Sequence, residues 1–227
     1  MSANEDSTTR FALTVVISGV AAALAGAAIG IAAVTVSGSD APMWVFARAT
    51  GVTSYLLLTL ITITGLLLAH PNRAQWRFLT PATQLRSHVG LTVFTLVFTL
   101  LHVGVLAIDP WAKVGWTGAF LPMAAEYRPV AVSLGVISLW AGVIAGVTAG
   151  MSGRVVGRWW RPLHRLAALA WVLAWLHAVF AGSDTAGLMV MYGTTGLAVI
   201  VTATWRYASP NMRTSPERPR ATEVSSR

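Results

Sequence analysis

Residues 87–108 read SHVGLTVFTLVFTLLHVGVLAI, and residues 163–182 read LHRLAALAWVLAWLHAVFAG. Each is long enough to cross a bilayer, which takes about 20 apolar residues in a helix. Neither alternates polar and apolar positions as a strand would. A bilayer interior admits only helices or closed barrels, because every backbone N–H and C=O has to be paired within the protein. The first stretch holds His88 and His102 and no charge; the second holds His164, Arg165 and His177.

Four more apolar runs flank these two, at residues 11–36, 43–69, 130–150 and 185–204. The six runs predict an all-α membrane protein, a six-transmembrane-helix bundle over residues 11–204. A short N-terminal tail, 1–10, precedes it, and a polar tail, 205–227, reads as disordered. The apolar part of a secretion signal is only about 7–15 residues, much shorter than the first run, which is therefore expected to stay as a helix. Pro129 and Pro162 stand where a first helical turn tolerates proline. Pro42, Pro71, Pro81, Pro110 and Pro122 are placed in connections. His70, beside Pro71 at the end of the second run, reads as a solvated loop residue.

Composition agrees. Of 227 residues, 55% are hydrophobic and 11% charged, and mean hydropathy is +0.65. A soluble domain carries roughly 25% charged residues, so a soluble enzyme and a disordered chain are both excluded. No cysteine is present, which removes disulfides, iron–sulfur clusters, thiolate zinc and covalent c-type haem together. The net charge of +8 does not form a nucleic-acid patch, because the arginines sit between apolar runs. Arg10, Arg73, Arg77, Arg86, Arg154, Arg158, Arg161, Arg206, Arg213, Arg218, Arg220 and Arg227 fall on one side of the predicted bundle. Only Lys113 and Arg128 fall on the other, beside Asp40, Asp109, Glu126 and Asp184. Cytoplasmic loops carry the basic excess, so both termini of this multi-pass cell-membrane protein are expected in the cytoplasm.

Four of the five histidines lie in two helices. His88 and His102 stand at i and i+14, His164 and His177 at i and i+13, and both helices start on the cytoplasmic side. At about 1.5 Å per residue, His88 and His164 share an inner level and His102 and His177 an outer one, roughly 20 Å away. Two stacked bis-imidazole sites suit two b-type haems, since imidazole is a good axial ligand for haem iron. Bare zinc would need more ligands at one level, and no span carries Asp or Glu. A lone intramembrane histidine usually bonds a neighbouring helix instead, and four in two matched pairs weigh against that. One spacing is awkward. At about 100° per residue, 14 positions return a side chain to within about 40°, whereas 13 leave it about 140° away. The fifth helix is therefore distorted, or the cofactors approach it from different sides.

Arg48 is the one charge inside the second run. It either pairs with an outer-haem propionate, stands beside the electron acceptor, or snorkels to the outer headgroups. Arg86 and Arg165 flank the inner histidines, where each is either a propionate partner or a topology anchor. Phe94, Phe98, Trp171 and Trp175 lie between the histidines and are assigned to packing. The glycines of the first run, and Gly135, Gly142 and Gly146 of the fourth, imply close helix contact or room for a porphyrin.

The histidine spacing resembles that of the ferric reductase transmembrane family, which includes the membrane domain of NADPH oxidases. The segments Phe46-Ala-Arg-Ala-Thr-Gly51, His102 through Asp109-Pro-Trp, Tyr127-Arg-Pro129, Trp160-Arg-Pro-Leu-His-Arg165 and Ala181-Gly-Ser-Asp-Thr185 are similar to motifs of its actinobacterial branch. The resemblance runs from about Trp44 to about Thr185. It implies axial ligation of two haems by His88, His102, His164 and His177, with Arg48 near the outer one. It also implies electron transfer from a cytoplasmic reductant to an acceptor on the far side. Many members continue into a flavin and nicotinamide domain. Nothing after Arg206 could fold into one, so the donor is expected to be a separate flavoprotein, another redox protein or quinol. That organisation is similar to the haem-bearing membrane subunit of bacterial methionine-sulfoxide reductase systems. Membrane lipid is the other expected contact, and no nucleic acid is. A proton or ion transporter with histidine relays, and a non-catalytic assembly subunit, are the alternatives.

Overall fold

A computed structural model describes residues 2–71, 80–151 and 157–209. Among them, six helices are long and apolar enough to cross a membrane, and no strand occurs. The chain is a multi-pass membrane protein in contact with lipid. Helix α1 spans Ser2–Ser37, α2 Pro42–Leu68 and α3 Pro81–Ile108. Short α4, Gly115–Phe120, lies in the next connection, and α5 spans Pro129–Gly150. The fifth crossing is α6, Trp160–His164, followed by α7, Leu166–Ala181, and the last is α8, Thr185–Ala208. Arg73, Arg77, Arg154, Arg213, Arg218, Arg220 and Arg227, and the side chain of Arg10, lie outside the described residues, as does the tail from 210 onward.

Local chemistry sets the helix starts. Pro42, Pro81 and Pro129 each open a helix, where a missing N–H costs nothing. Two of these, Pro42 and Pro81, are thus helical rather than in connections. Thr80 caps α3 by accepting the Thr83 N–H at 3.2 Å. At its far end Asp109 Oδ1 accepts the Trp111 N–H at 3.0 Å and turns the chain. The following connection is held by Lys113 O, which accepts the N–H of both Glu126 and Tyr127. Ala107, Ala112, Val114, Ala119 and Ala125 bury themselves beneath it with Trp44 and Val103. This cap covers the end of the bundle remote from Arg86, Arg158, Arg161 and Arg165.

Lipid is as apolar as leucine, so the helices gain little by hiding apolar faces from it. Leu24, Val190, Leu197 and Ile200 accordingly face outward. Packing and buried hydrogen bonds hold the bundle instead. Ser54 and Thr99 join α2 to α3 at 2.6 Å, and Ser138 Oγ donates to Ala170 O between α5 and α7 at 2.7 Å. Trp171 Nε1 donates to Thr59 Oγ1 at 3.0 Å, Trp175 Nε1 to Tyr192 O at 3.0 Å, and Tyr55 bonds Thr195. Each such bond is worth about 0.6 to 2 kcal/mol in a membrane. Gly30 lets α1 lie directly on Phe46, since a Cβ there would run into the ring.

His70 departs from its reading as a solvated residue. It is 3% exposed, its ring centre lies 4.5 Å from that of Trp205, and Nε2 is 3.1 Å from Ser209 Oγ. Ser209 Oγ donates to Trp205 O, so it accepts from His70. The reason is that α8 runs on to Ala208 and folds its last turn over the end of α2.

Candidate functional site

Helices α2, α3, α5 and α7 do not close on one another. They leave a cavity of about 740 Å3, and all four intramembrane histidines line it. Cofactor sites are typically about 300–1,000 Å3 with mostly apolar walls. Leu58, Ile61, Leu96, Val136, Leu139 and Val143 supply such walls here. The cap residues Val114 and Ala119 bound the cavity at one end, and Arg165 lines it at the other.

The histidines meet in the expected pairs. His88 of α3 and His164 at the end of α6 have ring centres 6.3 Å apart, with planes 70° from parallel. His102 of α3 and His177 of α7 have ring centres 6.4 Å apart, with planes at 73°. An imidazole–metal bond of about 2 Å, plus about 1 Å from nitrogen to ring centre, puts two imidazoles on one metal with centres about 6 Å apart. Both pairs have this separation. Among the described residues no group of three or more His, Cys, Asp or Glu comes together. Two ligands per level do not complete a tetrahedral zinc site. They do serve a metal whose other donors come from a planar macrocycle.

The rings are oriented from behind. His102 Nδ1 lies 2.7 Å from Ala47 O, His177 Nδ1 2.8 Å from Ala131 O, and His164 Nδ1 3.2 Å from Ala145 O. A carbonyl only accepts, so each Nδ1 carries the proton and each Nε2 keeps its lone pair. His88 Nδ1 lies 3.2 Å from Thr64 Oγ1, whose own proton goes to Ile61 O. That hydroxyl therefore accepts, and His88 has the same tautomer. Among the described residues no protein group bonds Nε2 of any of the four. A ligating histidine is typically held this way, the second nitrogen donating to a fixed acceptor.

Glycines make the seats. A Cβ on Gly51 would stand 2.6 Å from His102 Nδ1, and one on Gly135 2.8 Å from His177 Nδ1. A Cβ on Gly65 would stand 3.2 Å from His88 Cε1. Each of these rings lies over a bare stretch of the neighbouring helix, His102 and His177 against a carbonyl and His88 against the Thr64 hydroxyl. Gly142 and Gly146 of α5 line the cavity further along and leave its wall flat.

The fifth crossing is distorted, the first of the two arrangements that the His164–His177 spacing left open. The helix breaks at Arg165, between α6 and α7. Arg165 N–H bonds Pro162 O as well as Arg161 O, and Ala168 N–H bonds Arg165 O. These i→i+3 bonds belong to a tighter coil of 3.0 residues per turn, which adds about 20° of rotation per residue. Both histidines consequently face α5, where their acceptors Ala131 and Ala145 themselves stand at i and i+14.

At the capped end, the segments singled out in the sequence converge. Arg48 Nη2 pairs with Asp184 Oδ2 at 2.5 Å, and Nη1 donates to Ser183 Oγ at 2.5 Å. The half-buried Arg48 charge thus has a protein partner, on the α7–α8 connection, at the cavity wall. Tyr127 Oη donates to Ala181 O at 2.9 Å, and Arg128 Nη1 to Phe180 O and Gly182 O at 2.7 and 3.3 Å. The last carbonyls of α7 are capped by these two residues, one turn beyond His177. Arg86 and Arg165 are exposed at the arginine-rich end. Phe98 and Trp171 are buried, in keeping with packing.

Sequence reasoning missed the seats Gly51 and Gly65, the acceptors Ala47, Thr64, Ala131 and Ala145, and Asp184 as partner of Arg48. The glycines carried a signal. Gly51 and Gly65 stand at i and i+14, as do His88 and His102, which is one antiparallel register between α2 and α3.

Comparison with known protein families, curated proteins and solved structures gives no match to this chain.

Proposed function

We propose that the chain is the membrane-embedded, electron-carrying part of an oxidoreductase of ferric-reductase type. Its cavity holds two b-type haems, one between His88 and His164 and one between His102 and His177. The observation that carries this reading is the pair of imidazole–imidazole separations, 6.3 and 6.4 Å, across one apolar cavity. When bound, each iron porphyrin takes up and returns one electron with little change in its ligands.

The chain's own part is positional. Main-chain carbonyls and Thr64 fix the four tautomers and raise the basicity of Nε2. The glycine seats set the depth of the His88, His102 and His177 rings. On α3, the stretch from His88 to His102 separates the two levels by about 21 Å along the axis. The walls between the levels are mostly apolar and no span carries Asp or Glu, so charge crosses without a carboxylate path for protons. The arginine-rich end faces the cytoplasm in this reading, with both termini. Electrons enter there from a flavoprotein, another redox protein or quinol. They leave at the capped end, beside Arg48, to an acceptor outside the cytoplasm.

The test is purification from haem-replete cells, with a reduced-minus-oxidised spectrum and a pyridine haemochrome assay. About two haems b per chain are expected, and a colourless preparation refutes the reading. Ion flux in liposomes without a redox partner favours the transporter alternative.

A further inference from the structure

The ledge that leads to His164 is built differently from a simple membrane anchor. The two arginine-rich connections, residues 69–86 and 151–165, contain seven arginines and no Asp or Glu. Asp40, Asp109, Glu126 and Asp184 lie toward the opposite end. Arg158 Cζ lies 5.6 Å from the Trp159 ring centre, and Arg161 Cζ 5.8 Å from that of Trp160. Both guanidiniums are exposed, and Trp159 is 60% exposed. The Trp160 ring in turn lies 6.0 Å from the ring of His164. Two cations thus sit on adjacent indoles, and one indole abuts an imidazole of the cavity.

Resting on the function proposed above, we infer that this ledge is the docking and entry surface for a soluble, acidic one-electron donor protein. Arg158 and Arg161 meet carboxylates around the donor's cofactor edge, and Trp160 is the aromatic contact between that edge and His164. In each encounter the donor loses one electron and the cofactor held at the His88–His164 level gains it. No bond is made or broken. Arginines that only hold headgroups can stand anywhere around the rim. These two lie within cation–π reach of indoles at the point where the surface reaches the cavity ligand. A guanidinium held beside an aromatic face still has N–H donors free for carboxylates.

The full chain in nanodiscs of phosphatidylcholine alone, without anionic lipid, provides the test. Chemically reduced flavodoxin, an acidic flavoprotein, is the probe, and its Kd is read by interferometry at low salt and at about 0.5 M salt. The double variant Arg158→Gln/Arg161→Gln is expected to weaken low-salt binding about tenfold, with the two proteins converging at high salt. Arg158→Lys/Arg161→Lys is expected to restore part of the loss. Equal binding by wild type and the Gln variant overturns the proposal, and so does failure of the wild type to bind. If the Gln variant changes only the anionic phospholipid retained from cells, the ledge is a lipid anchor and the proposal falls. The haem b absorbance of the same nanodiscs is read separately. Its absence in the wild type refutes the function, whereas its presence without flavodoxin binding refutes only the docking surface.

Discussion

Placing a methyl group on Gly51 isolates one level of the cavity. The new Cβ would stand 2.6 Å from His102 Nδ1 and 2.7 Å from Cε1, where ordinary contact begins at 3.4 Å. The ring has to retreat by about 0.8 Å, the difference between 2.6 and 3.4 Å. It cannot retreat along its own hydrogen bond, because Nδ1 already lies 2.7 Å from Ala47 O. Gly51→Ala therefore lengthens or breaks that bond and tilts Nε2 off the line to His177. Overpacking of this kind costs about 1–3 kcal/mol. Loss of the contact that orients a metal ligand typically weakens metal binding about 10–100-fold. The other level is untouched, since Gly65 and His88 lie several helical turns away, toward the arginine-rich end. Gly193→Ala on α8 is the control, because Gly193 lies outside the cavity lining and a Cβ there meets nothing within 4 Å. Pyridine haemochrome assay of purified protein should give close to one haem per chain for Gly51→Ala and two for Gly193→Ala. Electron paramagnetic resonance should lose one of two low-spin signals. Two fully retained haems with unshifted signals in Gly51→Ala would show that the seat does not govern the ligand.

Replacing His177 by Ala is expected to remove one haem per chain and leave the His88–His164 level spectroscopically intact, as read by haem assay and resonance. Thr64→Val removes the only side-chain acceptor among the four ring partners. Redox titration should then move one of two midpoint potentials and leave the other in place. Arg128→Ala frees Phe180 O and Gly182 O at the end of α7. A loss of about 1–2 kcal/mol is expected, as for other helix caps, seen as a lower melting temperature in detergent with broadening confined to the His102–His177 signal.

The six crossings were legible because lipid imposes one crude requirement, length and apolarity, and the runs around His88 and His177 meet it without help from tertiary structure. The pairing of histidines was legible because the interval from His88 to His102 nearly completes whole helical turns. The other pair was half legible. Its spacing allowed either a distortion or cofactors on different sides, and the break that occurs depends on i→i+3 bonds around Arg165, which have no unique sequence signature. A carbonyl acceptor such as Ala47 O leaves no mark in the sequence at all, since every residue has one. Arg48 plainly needed a partner, yet Asp184 lies four crossings further along the chain and became visible only when α7 and α8 brought their connection back to α2. His70 was misread because the final turn of α8 looked, by composition, like the start of a tail.

Three of the four ring acceptors are main-chain carbonyls, and this divides the evolutionary freedom of the site unevenly. Positions 47, 131 and 145 can change side chain, within the room available, and still present the same oxygen. Drift there cannot silence the contact, and drift at the facing glycines cannot be absorbed. Thr64 alone hands the job to a replaceable group, so the level it serves is the one whose properties selection can adjust by a single codon.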